Sequence, residues 1–273
     1  MTSDRFTTSQ GVVWRIEEAG EGPPLLAVHG VGGGAYFFRG LAERLGLRYR
    51  VIAVDLPSGG PTADGADAVA SLESWVDGLR EIVETRVGKP VVVVGHSLGT
   101  ILALESWRRW PQLIRAMVFV GGLPQVRPVI HLKLSERIEA IAAHGMAGWG
   151  PRVSPGVFAP RTFAERPEVI GLFERLLETQ NPAAYIRTIQ ILLGASAGDV
   201  VPSVTVPCAS VSGSDDAYAP PADVSAFLDR LMVPCERVLL QGAGHMPFFE
   251  APQEFAQAIE NVLVKLPAPV SAT

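Results

Sequence analysis

The sequence predicts an α/β protein with a mostly parallel sheet that carries helices on both faces. Short β-branched runs, typical of buried strands, alternate along the chain with longer amphipathic stretches, typical of helices. Most of the predicted strands end directly in a glycine, histidine or aspartate. Because strands that alternate with helices pair in parallel through right-handed crossovers, these two observations together define the fold class.

The predicted elements follow in chain order. Residues Gly11 to Glu18 alternate loosely, which favours an antiparallel strand at the sheet edge. The buried strands that follow are Leu25–Val28, Val51–Val54, Val91–Val94, Ala116–Val120, Cys208–Ser212 and Arg237–Leu240. The helices between them are Ala35–Leu45, Ser71–Val87, Ile101–Trp107, Ala222–Met232 and Pro252–Leu266. A loop rich in proline and glycine is expected at Leu56–Asp67, and a frayed tail at Pro267–Thr273.

One long segment breaks the alternation of strands and helices. Apolar residues at helical spacing predict helices within it, around Leu134, Ile138 and Ile141, around Val169, Phe173 and Leu176, and around Tyr185, Ile189 and Leu192. An irregular piece is expected between the first two, at Gly148–Pro160. A helical insertion between two strands is typical of a cap over the strand ends. We therefore expect a core of residues 1–124 and 199–273 and a cap of residues 125–198.

Composition and charge argue against several classes of protein. The chain has 273 residues and a net charge of −5, whereas a nucleic-acid partner requires a basic face. It contains no run of 18 apolar residues and no apolar region of a secretory signal near Met1, so we expect no membrane association and a cytoplasmic location. Cys208 and Cys235 are expected to be buried free thiols. No Cys/His cluster has the spacing of metal ligands, and we expect neither a metal nor a cofactor.

The stretch around Ser97 carries the strongest chemical signal. Four consecutive valines, Val91–Val94, lead directly into Gly95-His96-Ser97-Leu98-Gly99, and a helical pattern follows. Strand, sharp turn and helix form the context in which Gly-x-Ser-x-Gly is a nucleophile elbow, with the serine hydroxyl exposed above the sheet. Gly95 and Gly99 allow the strand and the helix to pass close together on either side of Ser97.

A serine hydroxyl needs a base within hydrogen-bond reach, and the base needs an orienting group. In parallel sheets such groups gather after the carboxyl ends of strands. Among the five histidines His245 fits best, because it lies in the loop that follows the strand ending at Leu240. Asp215 and Asp216 follow another strand, and either could supply the acid. The chain order Ser, Asp, His matches that of many hydrolases.

Four motifs together resemble the α/β-hydrolase superfamily over nearly the whole chain. They are His29-Gly30, Gly95–Gly99, Gly213–Asp216 and Gly244-His245. The resemblance implies an eight-stranded, mostly parallel α/β-hydrolase fold with a helical cap, and it favours Asp216 over Asp215 because the family's acid is usually the third residue after the glycine.

The resemblance also implies an oxyanion hole and a pocket. The hole's donors are expected to be the backbone N–H groups of Val31 and Leu98. Four side chains are candidates for contact with substrate in the pocket: His29, His131, Trp149 and Arg152.

The function expected from these residues is a serine hydrolase that cleaves a small carboxylic ester or lactone through an acyl-enzyme. The cap loosely resembles the lids of 3-oxoadipate enol-lactonase-like hydrolases, through Gly145-Met146 and Asn181–Tyr185. The same fold also hosts C–C bond hydrolases, lyases and perhydrolases or haloperoxidases, and a non-catalytic ligand-binding homologue is a further alternative. The expected partner is a small molecule, and a homo-oligomer is possible.

A dinucleotide-binding protein is a rival interpretation. Gly30-x-Gly32-x-x-Ala35 follows a strand, and Asp55 ends the next strand, as in a nucleotide fingerprint. This interpretation leaves the elbow motif, Asp216 and His245 unexplained, so it is the weaker one.

Overall fold

The fold is built on an eight-stranded sheet. A computed structural model describes residues 1–57 and 70–266, so most of the predicted loop Leu56–Asp67 and the predicted tail Pro267–Thr273 lie outside the described residues. The strands are β1 (Thr2–Thr7), β2 (Val13–Ala19), β3 (Pro24–Val28), β4 (Arg50–Asp55), β5 (Val91–His96), β6 (Ile114–Val120), β7 (Cys208–Gly213) and β8 (Cys235–Leu240). Their order across the sheet is β1-β2-β4-β3-β5-β6-β7-β8.

The sheet is mostly parallel, which confirms the predicted fold class. The five pairings from β4 across to β8 are parallel, while β1–β2 and β2–β4 are antiparallel. β5 lies between β3 and β6, and each of its six residues is buried. The loops that follow β3, β5 and β6 therefore leave the same edge at neighbouring positions, where a site can form.

The edge of the sheet differs from the prediction. The segment predicted as the edge strand is β2, and it pairs on both sides, with β1 and with β4. The edge on this side of the sheet is β1, in which Phe6 is partly buried and the other five residues are exposed. An exposed edge strand is held by backbone hydrogen bonds and needs no alternation of apolar residues, so hydrophobic periodicity carried no signal for it.

Helices pack against the sheet around these strands. Those outside the long insertion are α1 (Arg39–Leu45), α2 (Leu72–Ile82), α3 (Leu98–Arg109), α9 (Pro221–Leu228), α10 (Pro247–Glu250) and α11 (Pro252–Lys265), and five more helices lie between α3 and α9 in the chain. A 3₁₀ turn at Ala35–Phe38 precedes α1, and a π turn at Val83–Val87 follows α2. Among the described residues, no helix combines the length and apolarity needed to cross a membrane.

Five helices lie between β6 and β7, and we refer to residues 125–198 as the insertion. They are α4 (Pro128–His144), α5 (Gly150–Val157), α6 (Pro160–Glu165), α7 (Pro167–Glu178) and α8 (Pro182–Gly194). The stretch expected to be irregular, Gly148–Pro160, is largely α5, which contains Pro155. Proline and glycine weaken a helical prediction, but Pro151 lies in the first turn, where its missing N–H costs nothing.

The two ends of the insertion meet at its base. Gln125 and Ser196 form an isolated antiparallel bridge, and the N–H of Ala197 donates to the carbonyl of Pro124 at 2.8 Å. The chain thus leaves and re-enters the sheet region at one place.

Cys208 and Cys235 are both unbonded thiols. They are the first residues of β7 and β8 and lie opposite each other in the parallel register. Cys208 is buried and Cys235 is partly buried. Burial raises the pKa of the Cys235 thiol to about 11 and raises that of Cys208 further, so both remain protonated and unreactive at neutral pH.

Substitution by alanine is expected to change the stability of the fold in opposite directions at Gly99 and at Gly40. A Cβ at Gly99 would lie 2.2 Å from the carbonyl oxygen of Val28, whereas a Cβ at Gly40 in α1 would meet nothing within 4 Å. We expect Gly99→Ala to destabilise the fold by about 3 kcal/mol or more, because helix and strand must separate. Gly40→Ala should instead stabilise it by about 0.5–1 kcal/mol. Urea unfolding followed by far-UV circular dichroism measures both, and equal stability of the two variants would contradict the packing described.

Candidate active site

Ser97 lies on a sharp turn between β5 and α3. Its φ of 53° and ψ of −113° make it the one non-glycine residue with positive φ among the described residues. Such a conformation is costly for a residue with a side chain and persists only where the surroundings enforce it. Here the N–H of Ser97 donates to the carbonyl of Val120 on β6 at 3.0 Å, which holds the turn against the neighbouring strand. The elbow geometry expected from Gly-x-Ser-x-Gly is thus present.

The first turn of α3 and the loop after β3 both lie beside Ser97. Leu98 is the first residue of α3, so its N–H belongs to the helix turn that lacks intrahelical acceptors. Val31 belongs to the loop after β3, and this loop approaches the serine so closely that a Cβ on Gly30 would lie 2.7 Å from the Ser97 Cβ. Both Val31 and Ser97 border the same cavity.

Asp216 and His245 form a buried pair. The Nδ1 atom of His245 lies 2.9 Å from Oδ2 of Asp216, and the two residues are 5% and 3% exposed. The other carboxylate oxygen of Asp216 accepts from the N–H groups of Tyr218 and Ala219, both at 2.8 Å. These donors stabilise a charged carboxylate, which in turn makes Nδ1 the protonated nitrogen of neutral His245. Its Nε2 atom is then the nitrogen free to accept a proton.

The neighbouring Asp215 does not take part in this pair. It is exposed, and its carboxylate accepts from the hydroxyl of Ser214 at 3.1 Å. Of the two candidate acids, the structure therefore brings only Asp216 to His245.

The loop that carries His245 is fastened on three sides. The His245 N–H donates to the carbonyl of Val157 in the insertion at 2.8 Å, and its carbonyl lies 2.9 Å from Nε2 of His96. The buried carboxylate of Glu250 accepts from the N–H groups of Gly244 and Met246, which flank His245. These bonds fix the backbone on both sides of the histidine.

Glu250 also joins this loop to the insertion. Its second oxygen accepts from the N–H of Ala159 at 2.8 Å and from the hydroxyl of Thr162 at 2.7 Å. One buried carboxylate thus accepts four hydrogen bonds and connects the start of α6 to the histidine loop.

A cavity of about 80 Å³ opens between Ser97, His245 and the insertion. Its walls are mostly apolar, and most of the apolar side chains come from the insertion: Val126, Ile130, Leu134, Val153, Val157, Phe173, Leu177 and Leu192. The polar side chains on its walls include Gln125, Arg127, Arg137, Tyr185 and Tyr218. No aspartate or glutamate is among the described residues that line it.

His29 lies outside this cavity, contrary to its expected place in the pocket. It is fully buried, and its Nε2 atom accepts from the N–H of Leu56 at 3.0 Å. Its Nδ1 atom must then carry the proton, which it donates to the carbonyl of Gly30 at 2.7 Å. His29 therefore ties the glycine-rich loop to the end of β4.

None of the other three pocket candidates lines the cavity either. His131 is exposed because it follows Ile130, which is on the buried face of α4, by one residue, or about 100° of helix. Arg152 is exposed and its guanidinium lies 5.2 Å from the ring centroid of half-buried Trp149. These two side chains pack on each other beside α5 and do not line the cavity.

Arg137, Tyr218 and Glu250 are residues of the site that the sequence analysis missed. Arg137 continues the buried stripe of α4 after Ile130 and Leu134, and Ile138, predicted for that stripe, is only partly buried. A charged residue at helical spacing among apolar ones was the signal available for Arg137. Tyr218 and Glu250 are brought in by long-range packing, and no local pattern marks them.

The nucleotide interpretation finds no support in the geometry. The carboxylate of Asp55, which would bind a ribose, accepts from the N–H of Ala35 at 2.5 Å and pairs with Arg15 at 3.2 Å. The glycine loop contacts the insertion, since a Cβ on Gly32 would lie 2.9 Å from Leu177. Within residues 1–57 and 70–266, no group of three or more potential metal ligands comes together.

The chain belongs to the alpha/beta hydrolase family, whose model matches residues 25–258. A curated relative, the 2-hydroxy-6-oxo-6-(2'-aminophenyl)hexa-2,4-dienoic acid hydrolase of Metapseudomonas resinovorans, is 26% identical over 276 residues, covering 95% of this chain and 90% of the relative.

Two solved structures share the fold. A thermophilic esterase from Thermogutta terrifontis superimposes with a TM-score of 0.88 at 22% identity, covering 97% of this chain and 99% of that one. The enol-lactonase from Burkholderia xenovorans gives a TM-score of 0.84 at 16% identity, covering 96% and 100% of the two chains.

His29 and His96 make the stability of the fold sensitive to mild acid. Burial lowers the pKa of both imidazoles below the ordinary value of 6.5, so the folded protein keeps them neutral. The unfolded chain binds protons that the folded protein excludes, and the unfolding free energy therefore falls as the pH drops below about 6.5. Between pH ~7.5 and pH ~5.5 each histidine should cost at most about 1.4 kcal/mol of stability, the limit for a ring that stays fully neutral in the folded protein.

Urea unfolding at these two pH values checks this expectation. His29→Asn and His96→Gln should each show a smaller loss in acid than the wild type. The exposed His144 supplies the matched control, His144→Asn, which should lose as much as the wild type. An identical acid-induced loss in all four proteins would contradict the assignment.

Proposed function

We propose that this protein is a serine hydrolase that cleaves a small carboxylic ester or lactone with Ser97, His245 and Asp216. The observation that carries the proposal is the common cavity: it is bordered both by the serine on its strained turn and by a histidine whose Nδ1 is engaged by a buried carboxylate. A serine hydroxyl is a weak nucleophile and needs a base to take its proton. The base in turn needs a carboxylate that holds it in the correct tautomer and orientation.

The first step is attack by the Ser97 hydroxyl on the substrate carbonyl carbon. Nε2 of His245 takes the hydroxyl proton, and the buried carboxylate of Asp216 stabilises the imidazolium that forms. The carbonyl oxygen becomes an oxyanion, which we assign to the backbone N–H groups of Leu98 and Val31. The first turn of α3 supports this assignment because its N–H groups and dipole favour negative charge.

Collapse of the tetrahedral intermediate breaks the bond to the leaving oxygen, which receives the proton from His245. The acyl group then remains on Ser97 as an ester. Water attacks this ester with His245 again as the base, and the carboxylic acid and free Ser97 are released. With a lactone, alcohol and acid stay in one molecule.

We assign the insertion, residues 125–198, the role of a cap that selects the substrate. Much of the cavity wall consists of side chains from α4, α5, α7 and α8, and a cover of this kind excludes water from the reacting centre. The small volume, about 80 Å³, favours a small acyl group.

An experiment can separate ester or lactone hydrolysis from other reactions that the same residues could catalyse. The Metapseudomonas relative is named as the hydrolase of a dienoic acid, and the fold also serves lyases, perhydrolases and non-catalytic binding proteins. A panel of p-nitrophenyl esters, small lactones and a vinylogous 1,5-diketo acid, assayed beside Ser97→Ala, ranks these alternatives. Ester or lactone turnover that depends on Ser97 is the result we expect.

A fluorophosphonate probe tests the nucleophile directly. We expect one covalent adduct per chain, located on Ser97 by peptide mass spectrometry, because only an activated serine reacts with this probe. His245→Ala should label much more slowly, and Ser97→Ala should not label. Full labelling of Ser97→Ala would refute the assignment.

The two adjacent aspartates offer a matched test of the acid. Asp216→Asn should lower kcat by roughly 10⁴-fold, because the orienting carboxylate and the correct histidine tautomer are lost. Asp215→Asn changes the same chemical group on the exposed neighbour and should change kcat by less than about threefold. If Asp215→Asn were the crippling change, Asp216 would not be the acid.

A further inference from the structure

Arg137 is a buried charge on the wall of the cavity. It projects from α4, is 8% exposed, and lines the same cavity as Ser97 and His245. Its Nη1 atom donates to the hydroxyl of Tyr185 at 3.1 Å and its Nη2 atom to the hydroxyl of Tyr218 at 3.0 Å. Its Nε atom is buried and has no hydrogen-bond partner in the part of the chain that the structure describes.

No carboxylate balances this guanidinium among the described residues. Its two hydrogen-bond acceptors are neutral hydroxyl groups, and no aspartate or glutamate lines the cavity. Arg127 on the same wall provides the contrast, since its guanidinium pairs with Asp223 at 2.7 Å. An arginine stays charged at any working pH, and burying a charge without an opposite one is costly. The unbalanced charge of the Arg137 guanidinium therefore favours an anionic ligand in the cavity.

Tyr218 relates this charge to the proposed reaction centre. Its ring stacks on the imidazole of His245, with centroids 5.1 Å apart, while its hydroxyl accepts from Arg137. One tyrosine side chain thus spans the distance between the triad and the guanidinium. A small molecule in the cavity can place one end at Ser97 and the other at Arg137.

We propose that Arg137, with the hydroxyls of Tyr185 and Tyr218, binds a free carboxylate of the substrate. The substrate class is then a small ester or lactone that carries a second, ionised carboxyl group a few atoms from the scissile carbonyl. A planar guanidinium matches the geometry of a carboxylate, and the bond between the two strengthens in a dry, apolar cavity. The identity of the reacting group rests on the proposed function, whereas the anion site rests on Arg137.

Two esters with acyl chains of equal length test this specificity. Mono-p-nitrophenyl succinate carries a free carboxylate, and p-nitrophenyl butyrate has a methyl group in its place. We expect wild type to prefer the succinate ester in kcat/KM. Arg137→Met should lower the ratio of the two kcat/KM values on the order of 100-fold, mainly by raising KM for the succinate ester. Arg137→Lys keeps the charge without the planar fork and should restore part of the ratio.

The matched control is Arg161→Met, which makes the same change at an exposed arginine that pairs with Glu165 outside the cavity. It should leave the ratio as in the wild type. A parallel loss of both activities in Arg137→Met, with an unchanged ratio, would mean that Arg137 only holds Tyr185 and Tyr218 together, and would overturn the proposal. A wild-type preference for the butyrate ester would overturn it as well.

Calorimetric binding of glutarate separates this proposal from the proposed reaction. If neither ester is hydrolysed and the fluorophosphonate leaves Ser97 unlabelled, the hydrolase assignment fails. The glutarate binding measurement then tests the anion site by itself. Binding by wild type that weakens at least about tenfold in Arg137→Met upholds the site. Absence of binding, or equal binding by both proteins, overturns it.

Discussion

The close packing of α3 on β5 and β3 is the constraint on which the rest of the site depends. A Cβ at Gly95 would lie 2.2 Å from the carbonyl oxygen of Gly99, and a Cβ at Gly99 equally close to that of Val28. Because helix and strand pass at this distance, the residue joining them has no room for an ordinary conformation, and Ser97 takes a positive φ. The neighbouring strands β3 and β6 then deliver the glycine-rich loop and the Val120 carbonyl to the same turn.

Two buried charged side chains of the site, Asp216 and Arg137, differ in how their charges are compensated. Asp216 accepts from two backbone N–H groups and pairs with His245, so its charge is satisfied within the protein. Arg137 donates to two neutral hydroxyl groups, and its Nε atom has no hydrogen-bond partner within residues 1–57 and 70–266. A satisfied carboxylate can orient a histidine through a reaction without changing its own state, whereas an unsatisfied guanidinium gains most when a ligand arrives. One of these two buried charges is thus paired within the protein, and the other has no carboxylate partner among the described residues.

The insertion and the histidine loop are connected by buried hydrogen bonds. Glu250 accepts from both segments, and the Val157 carbonyl accepts directly from the N–H of His245. Leaving any one of these buried groups without a partner would cost about 1–3 kcal/mol, so the two segments hold a common geometry. The proposed substrate selection by the insertion and the proposed proton transfer by His245 would therefore depend on the same contacts. The four hydrogen bonds that Glu250 accepts compensate for the burial of its carboxylate.

The sequence by itself determined the parallel sheet, the elbow at Ser97 and the order of serine, aspartate and histidine, because each depends on local periodicity or turn chemistry. The motif resemblance favoured Asp216 over Asp215, and the tertiary structure shows its contact with His245. Only the tertiary structure decided that β1 is the edge beside β2 and that His29, His131, Trp149 and Arg152 do not line the cavity. The place of Glu250 in the site also became evident only from the tertiary structure, whereas Arg137 had left a signal in the helical spacing of α4. A residue's neighbours across the fold are set by which faces of distant helices and strands pack together, and no pattern confined to one segment contains that information.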